Sequence, residues 1–211
     1  MMVNIVQSYF DEFKTTLDQI EHFPIEQTIE RLHQARLARQ RIFIMGNGGS
    51  ASTASHFVCD LAKNTRVPNY PDFRVIGLSD NIGLITAYAN DEGYENIFVQ
   101  QMASLIEEGD VVIGISTSGN SANVLQAIVH ANEVGATTIG FTGFSAGQLG
   151  DMVDIHLHVP SDCIEQVEDI HLLFEHLITK ALRERLDPNL MPFAAMTSTD
   201  NLVKRLSPNG T

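Results

Sequence analysis

Short β-rich runs that alternate with helix-compatible segments constrain the fold of this chain more than any other feature. Such alternation is typical of a mainly parallel sheet, in which helices connect successive strands. Two amphipathic helices are predicted ahead of the first strand, over 3–20 and 25–39, and one long helix over 163–185. We therefore predict an α/β fold with three layers, in which helices cover both faces of a mainly parallel five-stranded sheet. The five predicted strands span 42–45, 73–78, 111–115, 137–141 and 155–159.

Composition limits the classes of protein to which the chain can belong. The 26 acidic residues outnumber the 13 basic ones and give a formal charge of -13, so nucleic acid is not expected as a direct ligand. No stretch approaches the roughly 18 apolar residues of a membrane span, and the N-terminus lacks the pattern of a signal peptide. We therefore expect a cytoplasmic protein without membrane contact. Cys59 and Cys163 are too isolated to suggest a disulfide framework or a zinc finger.

The chain is predicted to form one domain over 1–186, which includes the two leading helices. A length of 211 residues with 44% apolar content is sufficient for one well-formed core. Residues 187–211 contain three prolines and show weak periodicity. We interpret them as a C-terminal arm or tail.

Two loops rich in glycine and hydroxyl residues each follow a predicted strand and lead directly into a predicted helix. The first loop is 46–50 (GNGGS), ahead of a helix over 51–63, and the second loop is 116–121 (STSGNS), ahead of a helix over 122–133. N–H groups at a helix start attract anions, and hydroxyls donate to phosphate oxygens without adding charge. Tight turns with N-cap residues would explain one serine and one glycine, but they explain four hydroxyls in six residues poorly. The predicted phosphate-binding and substrate-binding residues of the loops are Asn47, Gly48, Gly49, Ser50, Ser116, Thr117, Ser118 and Ser121.

The position of the loops favours a ligand crevice over a nucleotide site. Neither loop matches the mononucleotide P-loop pattern or the GxGxxG dinucleotide pattern. In an open α/β sheet, ligands bind at the carboxyl ends of the strands, and both loops follow those ends. The sequence therefore predicts one crevice formed by the two loops.

The motifs GNGGS, ISTSGNSANV and QVEDIHLLFEH, with His56 between the first two, resemble the phosphoheptose isomerase branch of the SIS (sugar isomerase) family. The resemblance covers about residues 1–185. It implies a flavodoxin-like SIS domain that binds a phosphorylated sugar and assembles as a homotetramer with active sites at subunit contacts. It also implies conversion of sedoheptulose 7-phosphate to D-glycero-D-manno-heptose 7-phosphate, assisted by a divalent metal ion for which zinc is expected.

The candidate metal site begins with His56 and Asp60, which lie four residues apart on one face of the predicted helix over 51–63. The spacing suits two ligands of one metal and equally suits a surface His–Asp pair. The resemblance implies that Glu168 and His176 complete the metal site, although the family usually has glutamate where Asp60 stands and glutamine where Glu168 stands. Solvated charge and helix packing are the alternative roles of these two residues.

Eight residues of helix separate Glu168 from His176, about 12 Å, which is too far for both side chains to reach one ion from one straight helix. Either the helix begins after Glu168, or more than one chain forms the site. For the reaction, Asp60 is the candidate base and His176 the candidate acid. Asn90 and Asp91 match family residues that contact the sugar, and could equally be polar residues that end a helix.

Two other functions are compatible with these residues. The chain could be a non-catalytic SIS module that binds a sugar phosphate and regulates a partner protein. It could also be an isomerase or epimerase for a different sugar phosphate. Metal binding and turnover distinguish the first, and a panel of sugar phosphates distinguishes the second.

Overall fold

A computed structural model describes residues 4–185 of the protein, and the predicted arm at 187–211 lies outside the described residues. The predicted α/β class is confirmed, because five parallel strands form one sheet in the order β2-β1-β3-β4-β5. All five strands lie within one residue of their predicted bounds. They are β1 (Arg41–Gly46), β2 (Arg74–Gly77), β3 (Val111–Ser116), β4 (Thr137–Thr142) and β5 (Ile155–His158).

Eight α-helices are present in the described part of the chain, and they cover both faces of the sheet. No helix among residues 4–185 has the length and apolar character required to cross a membrane. The helices are α1 (Ile5–Asp18), α2 (His22–Leu37), α3 (Gly49–Cys59), α4 (Ile82–Asp91), α5 (Ile97–Met102), α6 (Ala122–Val134), α7 (Gly147–Met152) and α8 (Ile164–Glu184).

Alternate residues of the strands feed two separate cores, as a sheet covered on both sides requires. Ile42 and Ile44 of β1 join one core with Phe57 of α3 and Phe174 of α8. Phe43, between them, joins the opposite core with residues of α5 and α6. Helices α2, α3 and α8 therefore cover one face, and α4, α5, α6 and α7 cover the other.

The strand order determines where a ligand crevice can form. From β1 the chain continues to β2 at one edge of the sheet, whereas from β3 it continues to β4 and β5 on the other side. Connections that follow the neighbouring strands β1 and β3 thus diverge, which opens a gap at their carboxyl ends. The first loop follows β1 and the second loop follows β3, so both border this gap.

Helix α3 departs from the predicted helix over 51–63 at both ends. It begins at Gly49, inside the first loop, and its regular α-helical turns end at Cys59. A π-helical turn then spans Asp60–Asn64. Single π-turns are rare and often occur at functional sites, and this one begins at a residue that the sequence analysis assigns to the metal site.

Candidate functional site

The first loop is fixed by glycine conformation and by a pair of amides. Gly48 has φ +55° and ψ -123°, a backbone conformation that favours glycine, and it precedes the first turn of α3 without any side-chain cap. The Asn47 amide donates to Asn123 Oδ1 at 2.8 Å, and the Asn123 amide donates back to Asn47 Oδ1 at 2.9 Å. Tyr94 O–H also donates to Asn47 Oδ1, at 2.9 Å. Asn47 therefore positions the loop, through two partners that the sequence analysis did not identify.

Two of the four hydroxyl groups of the second loop face each other, and the hydroxyl at the N-cap position does not cap the helix that follows. Ser116 Oγ and Ser121 Oγ lie 3.0 Å apart, and the Thr117 hydroxyl is buried without a hydrogen-bond partner. Ser121 is the N-cap residue of α6, yet its side chain makes no capping bond. The Ser118 hydroxyl accepts a bond from the Asn120 N–H at 3.2 Å. Helix capping alone therefore does not explain these four hydroxyls.

Close backbone packing holds the second loop against the segment after β4. Gly119 has φ +65°, and a Cβ at this position would collide with the carbonyl of Ala146. Ala146 itself adopts the left-handed conformation at φ 69°, which is uncommon for a residue other than glycine. The segment around Ala146 therefore packs directly against the second loop.

Four side chains from α3, its π-turn and α8 form a cluster suited to a cation. Single ligating atoms of His56, Asp60, Glu175 and His176 all lie within 4.8 Å of one another. The His56 and His176 rings meet edge to face, with their centroids 4.9 Å apart. The cluster unites three of the predicted metal ligands, His56, Asp60 and His176, and adds Glu175.

Asp60 is held within this cluster by two neighbours. Its Oδ1 accepts a bond from the Asn64 amide at 2.6 Å and lies 3.8 Å from His56 Nε2. The Asp60 side chain is largely buried, whereas the His56 and His176 side chains are about half exposed. The two histidines therefore face the solvent side of the cluster, where a ligand can enter.

Glu175 occupies an electrostatically unusual position. Its side chain is fully buried, and neither carboxylate oxygen has a hydrogen-bond partner. Burial, together with the nearby charge of Asp60, raises the pKa of Glu175 to about 8. A bound cation would satisfy a buried carboxylate with unmet acceptors, so the donor set fits a divalent cation.

The structure places Glu168 away from the cluster. Its carboxylate lies against Gly49, where a Cβ would collide with it. Helix α8 is continuous from Ile164 to Glu184, so the alternative in which the helix begins after Glu168 is wrong. Helices α3 and α8 pack side by side, with Glu168 beside the start of α3 and His176 beside His56. Glu168 therefore borders the first loop.

The remaining predicted contacts, Asn90 and Asp91, end α4 on the opposite face of the sheet. The Asn90 amide donates to Asp91 Oδ1 at 2.7 Å, and both residues are exposed. Among residues 4–185, no hydrogen bond joins either side chain to the loops or the cluster. Their predicted contact with a sugar stays a prediction.

One sequence signal could have identified Glu175. It lies four residues after His171 and three before Ile178, both buried, and so falls on the apolar face of α8. A carboxylate on that face requires a partner, because an isolated buried charge is strongly unfavourable. The family motif directs attention to Glu168 and His176 instead.

Comparisons with known proteins identify the family of the chain. The SIS domain family model matches residues 8–143. A phosphoheptose isomerase of Aliarcobacter butzleri is 34% identical over 184 residues, which cover 86% of this chain and 97% of that protein.

Two solved phosphoheptose isomerases have the same fold. The enzyme from Neisseria gonorrhoeae has a TM-score of 0.77 and 31% identity, covering 84% of this chain and 96% of that one. The enzyme from Francisella tularensis has a TM-score of 0.79 and 30% identity, covering 87% and 99%. The chain therefore belongs to the SIS domain family and, within it, groups with the phosphoheptose isomerases.

Proposed function

We propose that the protein is a ketose–aldose isomerase that converts sedoheptulose 7-phosphate into D-glycero-D-manno-heptose 7-phosphate. The observation that carries the proposal is the cluster of histidines and carboxylates beside two hydroxyl-rich loops, in a chain that groups with phosphoheptose isomerases. Anion-binding loops alone would support only the binding of a sugar phosphate, without a reaction. Paired acid–base groups next to them supply what an isomerisation needs.

The two loops bind and orient the sugar phosphate in this proposal. Ser116, Thr117, Ser118 and Ser121 hold the phosphate, and the first loop borders the sugar. Binding energy at the phosphate, remote from the reacting carbons, then aligns C1 and C2 with the cluster. The amide pair of Asn47 and Asn123 keeps the two loops at a fixed separation.

Asp60 and His176 perform the proton transfers. Asp60 takes a proton from C1 of the ketose and returns it to C2, while an O–H proton moves from O1 to O2 through His176, with an enediol between the two steps. The contacts that Asn64 and His56 make with Asp60 are both to Oδ1. Among the described residues, no hydrogen bond engages Oδ2. We therefore assign Oδ2 as the atom that accepts the proton from C1.

A divalent metal ion fits the cluster, and we propose zinc, because zinc favours histidine nitrogen with carboxylate oxygen. His56, Asp60 and His176 would hold it. When bound, the ion supplies Lewis-acid stabilisation of negative charge on the substrate oxygen.

A turnover assay in deuterium oxide tests the proposal. Zinc-loaded protein is incubated with sedoheptulose 7-phosphate while NMR follows the aldose, and solvent deuterium is expected at C2 of the product. Asp60→Asn should lower kcat/KM at least ~100-fold, because it removes the base. Asp18→Asn, at an exposed carboxylate of α1 outside the cluster, provides the matched control for a change of charge.

Folded, metal-loaded protein that gives no product would contradict the isomerase. Tight binding of the sugar phosphate without turnover would instead support a regulatory sugar-phosphate module. Conversion of another sugar in a panel of pentose to heptose phosphates would assign a different substrate. A homotetramer in the cytoplasm, which the resemblance implies, stays a prediction.

A further inference from the structure

Glu175 is a buried carboxylate that the isomerase reaction, as proposed above, does not use. Its side chain has no exposed area, and neither oxygen accepts a hydrogen bond. His56 Nδ1 lies 3.7 Å from Oε1, and His176 Nε2 lies 3.7 Å from Oε2. Buried carboxylates in proteins are almost always hydrogen-bonded or bound to a cation. Glu175 therefore needs a partner, and the described residues do not supply one.

The charges around Glu175 point to a cation as that partner. Asp60 places a second, largely buried carboxylate in the same cluster. Within residues 4–185, the ion pairs of both carboxylates involve only His56 and His176, and no lysine or arginine. Carboxylates bind a metal in the ionised form, so as ligands Asp60 and Glu175 would bring two negative charges, which one divalent ion neutralises.

Distances favour Glu175 over Glu168 as the fourth ligand. The four ligating atoms lie within 4.8 Å of one another, and a tetrahedral zinc with bonds of about 2.0–2.1 Å needs them about 3.4 Å apart. Small side-chain rotations close that difference. Glu168 lies seven residues before Glu175 on one continuous helix, about 10 Å along the axis, and its carboxylate rests on Gly49.

We infer that Glu175 completes the metal site with His56, Asp60 and His176, so that a single chain holds all four ligands and Glu168 is not one of them. The inference deepens the proposed function and rests on it for the presence of a metal. A site within one chain also removes the need for a ligand from a second subunit. Glu168 is then free to line the first loop.

Metal titration of two variants tests the inference without using activity. Metal-depleted wild type, Glu175→Gln and Glu168→Ala are titrated with zinc against a competing chelator, and with cobalt, whose visible spectrum reports coordination. Glu175→Gln should weaken zinc binding at least ~100-fold and alter the cobalt spectrum. Glu168→Ala should stay within about threefold of wild type and keep the spectrum, because Glu168 is not a ligand in this inference and alanine cannot replace one. It is the control, because both variants remove a carboxyl group from the same helix.

Thermal melting supplies the check on folding. Metal-free Glu175→Gln should melt at or above the temperature of the metal-free wild type, since it removes a carboxyl that has no partner, and zinc should raise its melting temperature less than that of wild type. If this variant fails to fold, Glu175→Asp replaces it, with ~10-fold weaker zinc binding expected from the shorter reach.

The inference would be overturned by wild-type zinc affinity in Glu175→Gln, or in Glu175→Asp where that variant replaces it. Loss of zinc in Glu168→Ala, or a wild type that binds no zinc, would overturn it equally. A different result would contradict the proposed function and leave the metal site in place. If the variants behave as expected but wild type does not isomerise sedoheptulose 7-phosphate, the metal site stands and the isomerase does not.

Discussion

His171 and Glu175 lie one turn apart on the buried face of α8 and have pKa values shifted by burial in opposite directions on the pH scale. Burial lowers the pKa of His171 to about 4, even though the Thr142 carbonyl, 3.1 Å from Nε2, favours the protonated ring. Burial raises the pKa of Glu175 to about 8. In both cases the neutral form is favoured, as expected where water is excluded. Glu175 is a member of the cluster, whereas His171 is a core residue that packs against Phe141 and Phe174.

His171 makes folding stability depend on acid pH. Its folded pKa of about 4 lies below the unfolded value of 6.5, so the unfolded chain takes up the proton first. The contribution is therefore fully present above pH 6.5 and is lost as the pH falls towards 4, by about 3 kcal/mol in total. His171→Gln, which can still donate to Thr142 without titrating, should lose this dependence.

Urea unfolding of both proteins between pH 7 and pH 4.5 measures the effect. The difference between the two free energies of unfolding isolates His171, because every other titrating group is common to both proteins. Parallel pH profiles would contradict the prediction.

The sequence identified three of the four clustered side chains, and it did so for different reasons. His56 and Asp60 follow from helical spacing, but His176 needed the family resemblance. Glu175 was missed because a carboxylate on an apolar helix face has no distinctive motif, and only the packing of α8 against α3 shows which groups surround it. Glu168 matches a family position, yet its distance from His176 along the helix already argued against a shared ion within one chain.

Helix α3 joins the two parts of the candidate site, and its start depends on glycines of two different kinds. A Cβ at Gly46 would lie 2.7 Å from the carbonyl carbon and oxygen of Ser50. A Cβ at Gly49 would meet only the carboxylate of Glu168, which is the free end of a flexible side chain. The backbone of Ser50 cannot move away from an added Cβ, whereas the side chain of Glu168 can.

Replacing these two glycines by alanine should therefore have unequal effects. Gly46→Ala should lower the free energy of unfolding by about 2–3 kcal/mol and displace the first loop, which raises KM for the sugar phosphate. Gly49→Ala should change stability by less than ~1 kcal/mol, because Glu168 can rotate away and alanine favours the helix.

Chemical denaturation of the two variants, with steady-state kinetics, measures both effects. Equal destabilisation by the two substitutions would contradict the proposed packing of Ser50 on Gly46.

The lengths of the elements followed from hydrophobic pattern, but the irregular turn at the end of α3 did not. The predicted helix over 51–63 continues through the π-turn at Asp60–Asn64 because the apolar pattern does not change there. The π-turn packs against α8, which is distant from it in sequence. Local sequence carries no such information.

At the scale of the whole molecule, the alternation of strands and helices predicted a parallel sheet but left the strand order open. The order depends on which face each helix covers, and that is decided by packing between segments distant in sequence. Once β1 and β3 are neighbours, the two loops necessarily meet at the point where the connections diverge. Adjacent loops are thus a property of the fold and not of either motif.

Exposed apolar side chains on α8 predict self-association. Leu173 and Leu177 are 37% and 42% exposed and lie four residues apart on the side of α8 away from the core. Apolar neighbours on one exposed helix face are typical of a subunit contact. Replacing both by lysine should convert the expected homotetramer into smaller species, because charge is depleted at the centre of such contacts.

Light scattering after size-exclusion chromatography measures the mass of the double variant. Val129→Lys, at a residue of similar exposure on α6, is the matched control and should keep the wild-type mass. A monomeric wild type, or an unchanged mass in the double variant, would contradict the prediction.

Helix α3 also fixes the distance between two parts of the candidate site. It begins at Gly49 beside the first loop and presents His56 seven residues later, so about 10 Å of rigid backbone separates the two positions. A molecule that reaches both must have a matching length, and a shorter sugar chain would leave one end of the crevice unfilled. Under the proposed function, we therefore expect insertion or deletion of residues between Gly49 and His56 to change the length of sugar that the crevice accepts.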